Sequence, residues 1–189
     1  MAENKVKYGL KNVHYAVLTE GESGVTFATP VAIPGAVNLS LSAQGDETKF
    51  YADNGAYYVT AANNGYSGDL EVALLPDSFR EDILGESMDT TAKVLTENAN
   101  TEPKAFALLF EFDGDQKATR HVLYNCKATR PTMASQTTNS AKGPNTDTLT
   151  ITASPLANGN VKAKTTSETT ESVYSGWYGN VWMPSEGGA

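Results

Sequence analysis

Side chains able to carry out chemistry are few in this sequence and do not form reactive groupings. His14 and His121 stand alone, without the H-x-H or H-x-x-x-H spacing that brings two imidazoles to one metal ion. We predict that both are outward-facing residues of strands. Cys126 alternates with Val122 and Tyr124, which predicts a buried small hydrophobic residue and not a nucleophile. Because Cys126 is the single cysteine of the sequence, it cannot form an intramolecular disulfide.

Two pairs of carboxylates could bind a hard cation or perform acid–base catalysis. The motif Asp113-Gly114-Asp115 lacks the further ligand positions of a calcium loop, and an Asp-Gly turn explains it. Asp69 and Glu71 lie at i and i+2, about 7 Å apart on one strand face. We therefore predict a solvated strand surface there, and no catalytic, metal-binding or cofactor-binding residue in the chain.

The elements that carry these residues are predicted to be strands, because apolar side chains recur at every second position. The most apolar hairpin places Phe106, Leu108, Phe110 and Phe112 on one face of its first strand. Strands of this kind are predicted at residues 6–10, 13–17, 25–27, 37–41, 66–74, 105–113, 119–128, 148–153 and 161–165. The first of these is either an arm or an edge strand.

Eight or nine short strands without a βαβ rhythm predict a mainly β fold. We expect a single domain over residues 1–189, a two-sheet antiparallel β-sandwich or flattened barrel with one short α-helix, a long hairpin-like loop and terminal arms. The arms are predicted at residues 1–12 and 166–189.

The short helix is predicted after Pro76, which removes a backbone donor from the preceding strand and suits a first helical turn. Asp77 or Ser78 can cap the helix, and Gly85 can end it. We expect this helix to plug one end of the sandwich. Leu74, before the proline, is predicted to lie in the core.

Residues 43–65 form a long and aromatic connection between two predicted strands. The Asp53-Asn54-Gly55 sequence is a strong hairpin signal, and connections of this length are usually functional. We predict a projecting hairpin that contacts another molecule through exposed aromatic residues. The predicted contact residues are Phe50, Tyr51, Asp53, Asn54, Tyr57 and Tyr58.

The C-terminal stretch is also aromatic and follows a polar Thr/Ser/Glu linker. Two interpretations remain open for it. It is either an arm that docks on a neighbouring molecule or a last strand that completes its own sheet. The residues concerned are Tyr174, Trp177, Tyr178 and Trp182.

Composition limits the partners of the chain. Its net charge of −8 over 189 residues, without a basic cluster, argues against binding to nucleic acids or anionic membranes. No apolar run of about 18 residues is present, and the first residues lack the apolar segment of a signal peptide. We expect the product to stay in the cytoplasm of the cell that makes it.

The chain resembles the major tail proteins of long, non-contractile-tailed bacteriophages (siphophages), which are the subunits of the tail tube. The resemblance rests on an ordered set of segments within residues 5–155. These are residues 8–18 (YGLKNVHYAVL), 50–58 (FYADNGAYY), 65–85 (GYSGDLEVALLPDSFREDILG), 106–115 (FALLFEFDGD) and 120–131 (RHVLYNCKATRP).

The resemblance implies a non-enzymatic virion protein, assembled in the host cytoplasm, that forms hexameric rings stacked into a tube. DNA passes through that tube without specific binding, and the other partners implied are tape-measure, tail-terminator and distal-tail proteins. The long loop then contacts the next ring, and acidic residues line the lumen. Asp69, Glu71 and Glu111 are the lumen-facing candidates.

Two other functions stay open at this stage. A carbohydrate-binding or adhesin-like β-sandwich could use Trp177, Tyr178 and Trp182 as a stacking platform, although the absent export signal argues against it. A secretion-system tube protein is a related alternative that the sequence does not separate from a phage protein.

Overall fold

The structure is a computed structural model that describes residues 3–21, 24–137 and 143–185. It is mainly β, with a large antiparallel sheet and short helices, and is consistent with the predicted β-sandwich. The outermost residues of both predicted arms, 1–2 and 186–189, lie outside the described residues.

Thirteen strands and two short helices make up the described chain. The bounds are β1 Lys7–Gly21, β2 Gly24–Phe27, β3 Val31–Ala32, β4 Ala36–Gln44, β5 Glu47–Ala52, β6 Gly55–Ala61, β7 Gly65–Val72, α1 Asp77–Phe79 continued by a π-helical turn Arg80–Leu84, β8 Ser87–Met88, β9 Leu95–Thr96, β10 Phe106–Gly114, β11 Thr119–Ala128, β12 Asp147–Ser154, β13 Lys162–Lys164 and α2 Glu171–Gly176.

The main sheet has the strand order β2-β1-β10-β11-β12-β7-β4, and all of its pairs are antiparallel. Strand β3 also pairs with β1, and β13 pairs with β11. Strands β5 and β6 form a separate two-stranded sheet, as do β8 and β9. Strand β10 therefore pairs with its hairpin partner β11 on one side and with β1, from the start of the chain, on the other.

Strand β10 has both faces buried, so the main sheet separates two apolar cores. The inner core contains Phe106, Leu108 and Phe110, together with residues of β1, β7, β11, β12 and α1. The outer core contains Ala107 and Leu109 on the opposite face of the same strand. The predicted alternation of β10 is confirmed, and the apolar residues on each of its faces are buried in one of the two cores.

Strand β11 departs from the predicted alternation. Val122 and Tyr124 face the outer core, whereas Leu123 and Cys126 face the inner core. The pairing register with β10 shifts at this point, because a β-bulge inserts an extra residue and reverses the faces that follow. The prediction that Val122, Tyr124 and Cys126 share one face is therefore wrong, but Cys126 is fully buried as predicted.

Helix α1 packs against the inner core at the end of the sheet where β10 begins. The Phe79 ring lies 5.0 Å from the ring of Tyr15 and 5.5 Å from that of Phe106, with both pairs near perpendicular. Tyr15 also donates a hydrogen bond to the Asp82 carboxylate at 2.8 Å. Gly85 follows the helix with a positive φ of 72°, as its predicted role requires.

Two details of this segment differ from the prediction. No side chain caps the helix, because Pro76 itself occupies the N-cap position. Strand β7 ends at Val72, and Leu74 is 72% exposed while Leu75 is buried. The chain leaves the sheet two residues early, so the alternation that predicted a core position for Leu74 no longer applies.

Candidate self-association surface

The predicted projecting hairpin is present as strands β5 and β6, which extend the edge of the main sheet. The last pair of the β4–β7 ladder is Gln44 opposite Gly65. Two further backbone hydrogen bonds bridge the same two chain segments, from Asn64 to Gln44 at 2.9 Å and from Ala62 to Asp46 at 3.0 Å. The hairpin is therefore attached to the sheet by a continuous ladder.

Glycines at this junction allow the two backbones to approach. A Cβ atom on Gly45 would lie 1.8 Å from the carbonyl oxygen of Ala62, and one on Gly65 would lie 1.9 Å from that of Ala153. Both distances are too short for any side chain. The direction in which the hairpin leaves the sheet therefore depends on glycine at both positions.

The tip of the hairpin is a two-residue turn at Asp53 and Asn54, whose φ angles are 51° and 63°. Positive φ at both central residues is typical of a type I′ turn, whose twist matches that of paired strands. Ala52 pairs with Gly55 on either side of the turn. The Asp-Asn-Gly signal in the sequence thus predicted the hairpin correctly.

Large apolar side chains cover the hairpin without being buried. Phe50 and Tyr58 pair directly across the two strands, and each is 61% exposed. A two-stranded ribbon is marginally stable in water, and exposed apolar patches on a soluble fold mark contact surfaces. The aromatic and apolar residues concerned are Phe50, Tyr51, Tyr57, Tyr58 and Val59.

Asp69 and Glu71 lie on the face of β7 opposite its buried residues, as predicted for a polar strand surface. Asp69 accepts a hydrogen bond from Thr150 at 2.8 Å, and Glu71 accepts one from Thr146 at 2.6 Å. The neighbouring strands add serine, threonine and asparagine to this face, and the sequences of β4, β7 and β12 contain no lysine or arginine. The result is a hydrophilic sheet surface with negative charge.

Glu111 is not part of this exposed surface, and its role as a lumen-facing candidate is withdrawn. Its side chain is only 4% exposed and pairs with Arg120, whose Nε donates a 3.0 Å hydrogen bond. Asn12 donates a second at 2.9 Å and Tyr178 a third at 3.3 Å. These partners satisfy a carboxylate that would otherwise be costly to bury.

The C-terminal segment covers the outer face of the sheet in the same molecule, and its interpretation as a last strand is wrong, whereas a contact with a neighbouring molecule stays a prediction. It forms helix α2 and not a strand, and Trp177 is only 3% exposed within the outer core. The Arg120 guanidinium lies 3.9 Å from the centroid of the Tyr174 ring and 5.1 Å from that of Tyr178. Trp182 is 37% exposed and stacks on Trp177.

Both histidines pack against aromatic rings, which corrects the prediction of outward-facing residues. The His14 ring lies 4.5 Å from that of Tyr178, and the His121 ring stacks 5.1 Å from that of Phe110. Burial lowers the pKa of His121 to about 4, and three nearby lysines act in the same direction. His121 is therefore neutral at pH 7.

No catalytic grouping is apparent in the part of the chain that the structure describes. Burial raises the pKa of the Cys126 thiol to about 12, which keeps the sulfur protonated and unreactive. Within residues 3–21, 24–137 and 143–185, no cluster of three or more histidine, cysteine, aspartate or glutamate side chains could hold a metal ion. None of the helices described there is long and apolar enough to cross a membrane.

Comparison with known proteins adds no assignment, since no protein-family model and no curated protein matches this chain. The candidate surface therefore rests on geometry alone. Sequence reasoning located the hairpin and the Asp69/Glu71 face, but it missed a group of lysines around His121. The alternation of Lys162 and Lys164 in β13 was the available signal for that group.

Proposed function

We propose that this chain is a structural protein that polymerises into a tube, as the tail tube subunit of a siphophage. The observation that carries the proposal is the β5–β6 hairpin, which extends beyond the sheet and exposes the rings of Phe50 and Tyr58. A contact with a second subunit would remove these rings from water. Such a contact gives the hairpin a function that it lacks in an isolated molecule.

The hydrophilic sheet face supports a lumen lined by the β4, β7 and β12 strands. Asp69 and Glu71 add negative charge to a surface that otherwise carries hydroxyl and amide groups. Repulsion between these carboxylates and phosphate would keep a passing DNA molecule from binding to the wall. An acidic wall thus suits transport without retention.

The edges of the main sheet also favour assembly. Strand β4 is the last strand on one side, and its outer edge pairs with no other strand of the described chain. Open edges favour pairing between molecules, and head-to-tail contacts that close by rotation give rings. A ring that pairs these edges would remove the exposed backbone groups.

The carbohydrate-binding alternative loses much of its support. A stacking platform needs exposed aromatic faces, but Trp177 is buried in the outer core and Tyr178 packs against His14 and Arg120. The secretion-system tube alternative uses the same surfaces as the phage protein. It is a variant of the same proposal.

Replacement of Asp46–Ala61 by an Asn-Gly turn tests the proposal. We expect a soluble chain that keeps its thermal stability, because the hairpin contributes no residue to either core, but that forms no tubes. Size-exclusion chromatography and negative-stain images of the unmodified and shortened chains give the answer. Normal tubes from the shortened chain, or an unmodified chain that stays monomeric at high concentration, would contradict the proposal.

A milder variant provides a matched pair within the hairpin. Phe50→Ser with Tyr58→Ser removes the aromatic pair, whereas Thr48→Ser with Thr60→Ser changes the neighbouring cross-strand pair. We expect the first variant to lose assembly and the second to retain it. Equal assembly by both variants would show that the aromatic rings are not the contact.

A further inference from the structure

The end of the sheet covered by helix α1 carries exposed negative charge. Asp77 and Glu81 are both exposed and lie four residues apart, which places them on the same side of the helical segment. Neither forms an ion pair within the described chain. We call these two residues the acidic plug face.

The opposite end of the sheet carries exposed positive charge around His121. Lys164 pairs with His121 in the β11–β13 ladder, and the Nζ atom of Lys162 lies 4.4 Å from the centroid of the Tyr66 ring. Lys7 reaches the same region, with its Nζ atom 5.3 Å from the centroid of the Phe112 ring. We call the three lysines Lys7, Lys162 and Lys164 the lysine rim.

The lysine rim has no carboxylate partner in the described residues, although the chain as a whole has a net charge of −8. Other cations of this chain are neutralised locally, such as Lys11 by Asp113 at 2.6 Å and Arg120 by Glu111 at 3.0 Å. Three like charges close together repel one another. An anionic partner would relieve this repulsion.

The two charged surfaces are too far apart to meet within one molecule. Lys162 contacts the ring of Tyr66 at the start of β7, whereas the plug helix follows Val72, the last residue of the same strand. Six residue steps of about 3.4 Å separate Tyr66 from Val72 by about 20 Å. Salt screens exposed charges over about 10 Å at 0.1 M, so the surfaces can pair only between molecules.

The hairpin leaves the sheet at the same end as the lysine rim. Gly65, at the base of the hairpin, precedes Tyr66, whose ring contacts Lys162. A neighbouring molecule that binds the hairpin and is stacked along the strand direction therefore also lies next to the lysine rim. In a head-to-tail stack of identical subunits, the surface that meets this end is the plug end of the next copy.

We infer that the lysine rim of one copy binds the acidic plug face of the next copy, so that complementary charge at opposite ends of the sheet sets the polarity of stacking. The inference rests on the proposed function, because it assigns both surfaces to the contact between successive rings. It commits to a second copy of this chain as the occupant of the rim.

Charge reversal at each end tests this inference. A rim-reversed variant carries Lys162→Glu and Lys164→Glu, and a plug-reversed variant carries Asp77→Lys and Glu81→Lys. A control with Lys93→Glu and Lys127→Glu makes the same change in net charge as the rim-reversed variant, at exposed residues outside both surfaces. Thermal unfolding first verifies that every variant folds. Assembly is then measured by sedimentation and negative-stain imaging at 50 mM and 1 M salt.

We expect each reversed variant to form rings that do not stack, with the concentration needed for tubes raised at least about tenfold at low salt. The control should form normal tubes. An equimolar mixture of the two reversed variants should stack again, because each negative end then meets a positive end. High salt should reduce the differences between these samples.

The outcomes separate the inference from the function on which it rests. Normal tubes from either reversed variant, or a mixture that fails to stack while the control does, would overturn the inference and leave tube formation standing. An unmodified chain that forms neither rings nor tubes would overturn both. Binding of the unmodified rim to a different anionic molecule, with tubes unaffected, would also overturn the assignment to a second copy.

Discussion

Substitution of Trp177 by alanine tests whether the C-terminal segment is part of the fold or a free arm. Trp177 is 3% exposed within the outer core, and its Nε1 donates a 3.4 Å hydrogen bond to the carbonyl of His121. Burial of about 200 Å² of ring surface at about 25 cal/mol per Å² corresponds to about 5 kcal/mol. Truncations of this type cost about 3–5 kcal/mol.

The predicted effect of Trp177→Ala extends from the side chain to the whole C-terminal segment. Helix α2 has six residues, none of them buried, so it has little stability of its own without this anchor. We expect the segment to detach in the folded state. Detachment exposes the outer core around Leu109 and Val122 in the folded state. The surface area that unfolding newly exposes is therefore smaller, and the m-value falls with it.

Urea unfolding and dye binding measure these effects, with Trp182→Ala as the matched control. Trp182 is partly exposed and stacks on Trp177 at 6.3 Å, an arrangement worth about 0.5–1.5 kcal/mol. We expect Trp177→Ala to lower the unfolding free energy by about 3–5 kcal/mol, with a smaller m-value and increased binding of a hydrophobic dye. Equal losses from both variants, or a loss below about 1 kcal/mol with an unchanged m-value, would refute the reasoning.

Three further predictions concern the inner core, the buried imidazole and the polar face. Phe110→Ala should lower the unfolding free energy by about 3–5 kcal/mol, whereas the exposed Leu74→Ala should change it by less than about 0.5 kcal/mol in the same urea titration. The pKa of His121 is lower in the folded than in the unfolded chain. Its contribution to the free energy of unfolding is therefore complete above pH 6.5 and is lost as the pH falls through about 4. The His121→Gln variant should lose about 2–3 kcal/mol less unfolding free energy than the unmodified chain when the pH falls from 6.5 to below 4. Identical pH profiles of unfolding free energy for the two proteins would contradict this. The double substitution Asp69→Lys with Glu71→Lys should leave thermal stability unchanged but slow DNA ejection through assembled tails. An unchanged rate of ejection would argue against a lumen position for these residues.

Local sequence patterns predicted the hairpins and most strands because these depend on neighbouring residues. The turn at Asp53 and Asn54 needs only residues that tolerate positive φ between β-forming segments. The alternation in β10 likewise identified which residues share a face. Such patterns act over a few residues, so the sequence displays them directly.

Burial of polar residues could not be predicted in the same way. Glu111 follows the alternation of an exposed strand residue, yet the C-terminal segment places Tyr178 over it, and Arg120 neutralises its charge. The covering segment is 67 residues away along the chain. No local pattern indicates which segment will cover a strand face.

The sequence by itself thus determined a mainly β chain, an aromatic hairpin and a short helix after Pro76, since alternation, turn residues and proline act on the nearest neighbours. The tertiary structure decided that Leu74 is exposed, that Trp177 anchors the C-terminal segment, and that three separate lysines gather at one end of the sheet. These outcomes depend on where the strands end, where a β-bulge shifts the register and which distant segments meet. Burial and charge at a surface are properties of the assembled sheet, and contacts across the whole chain set them.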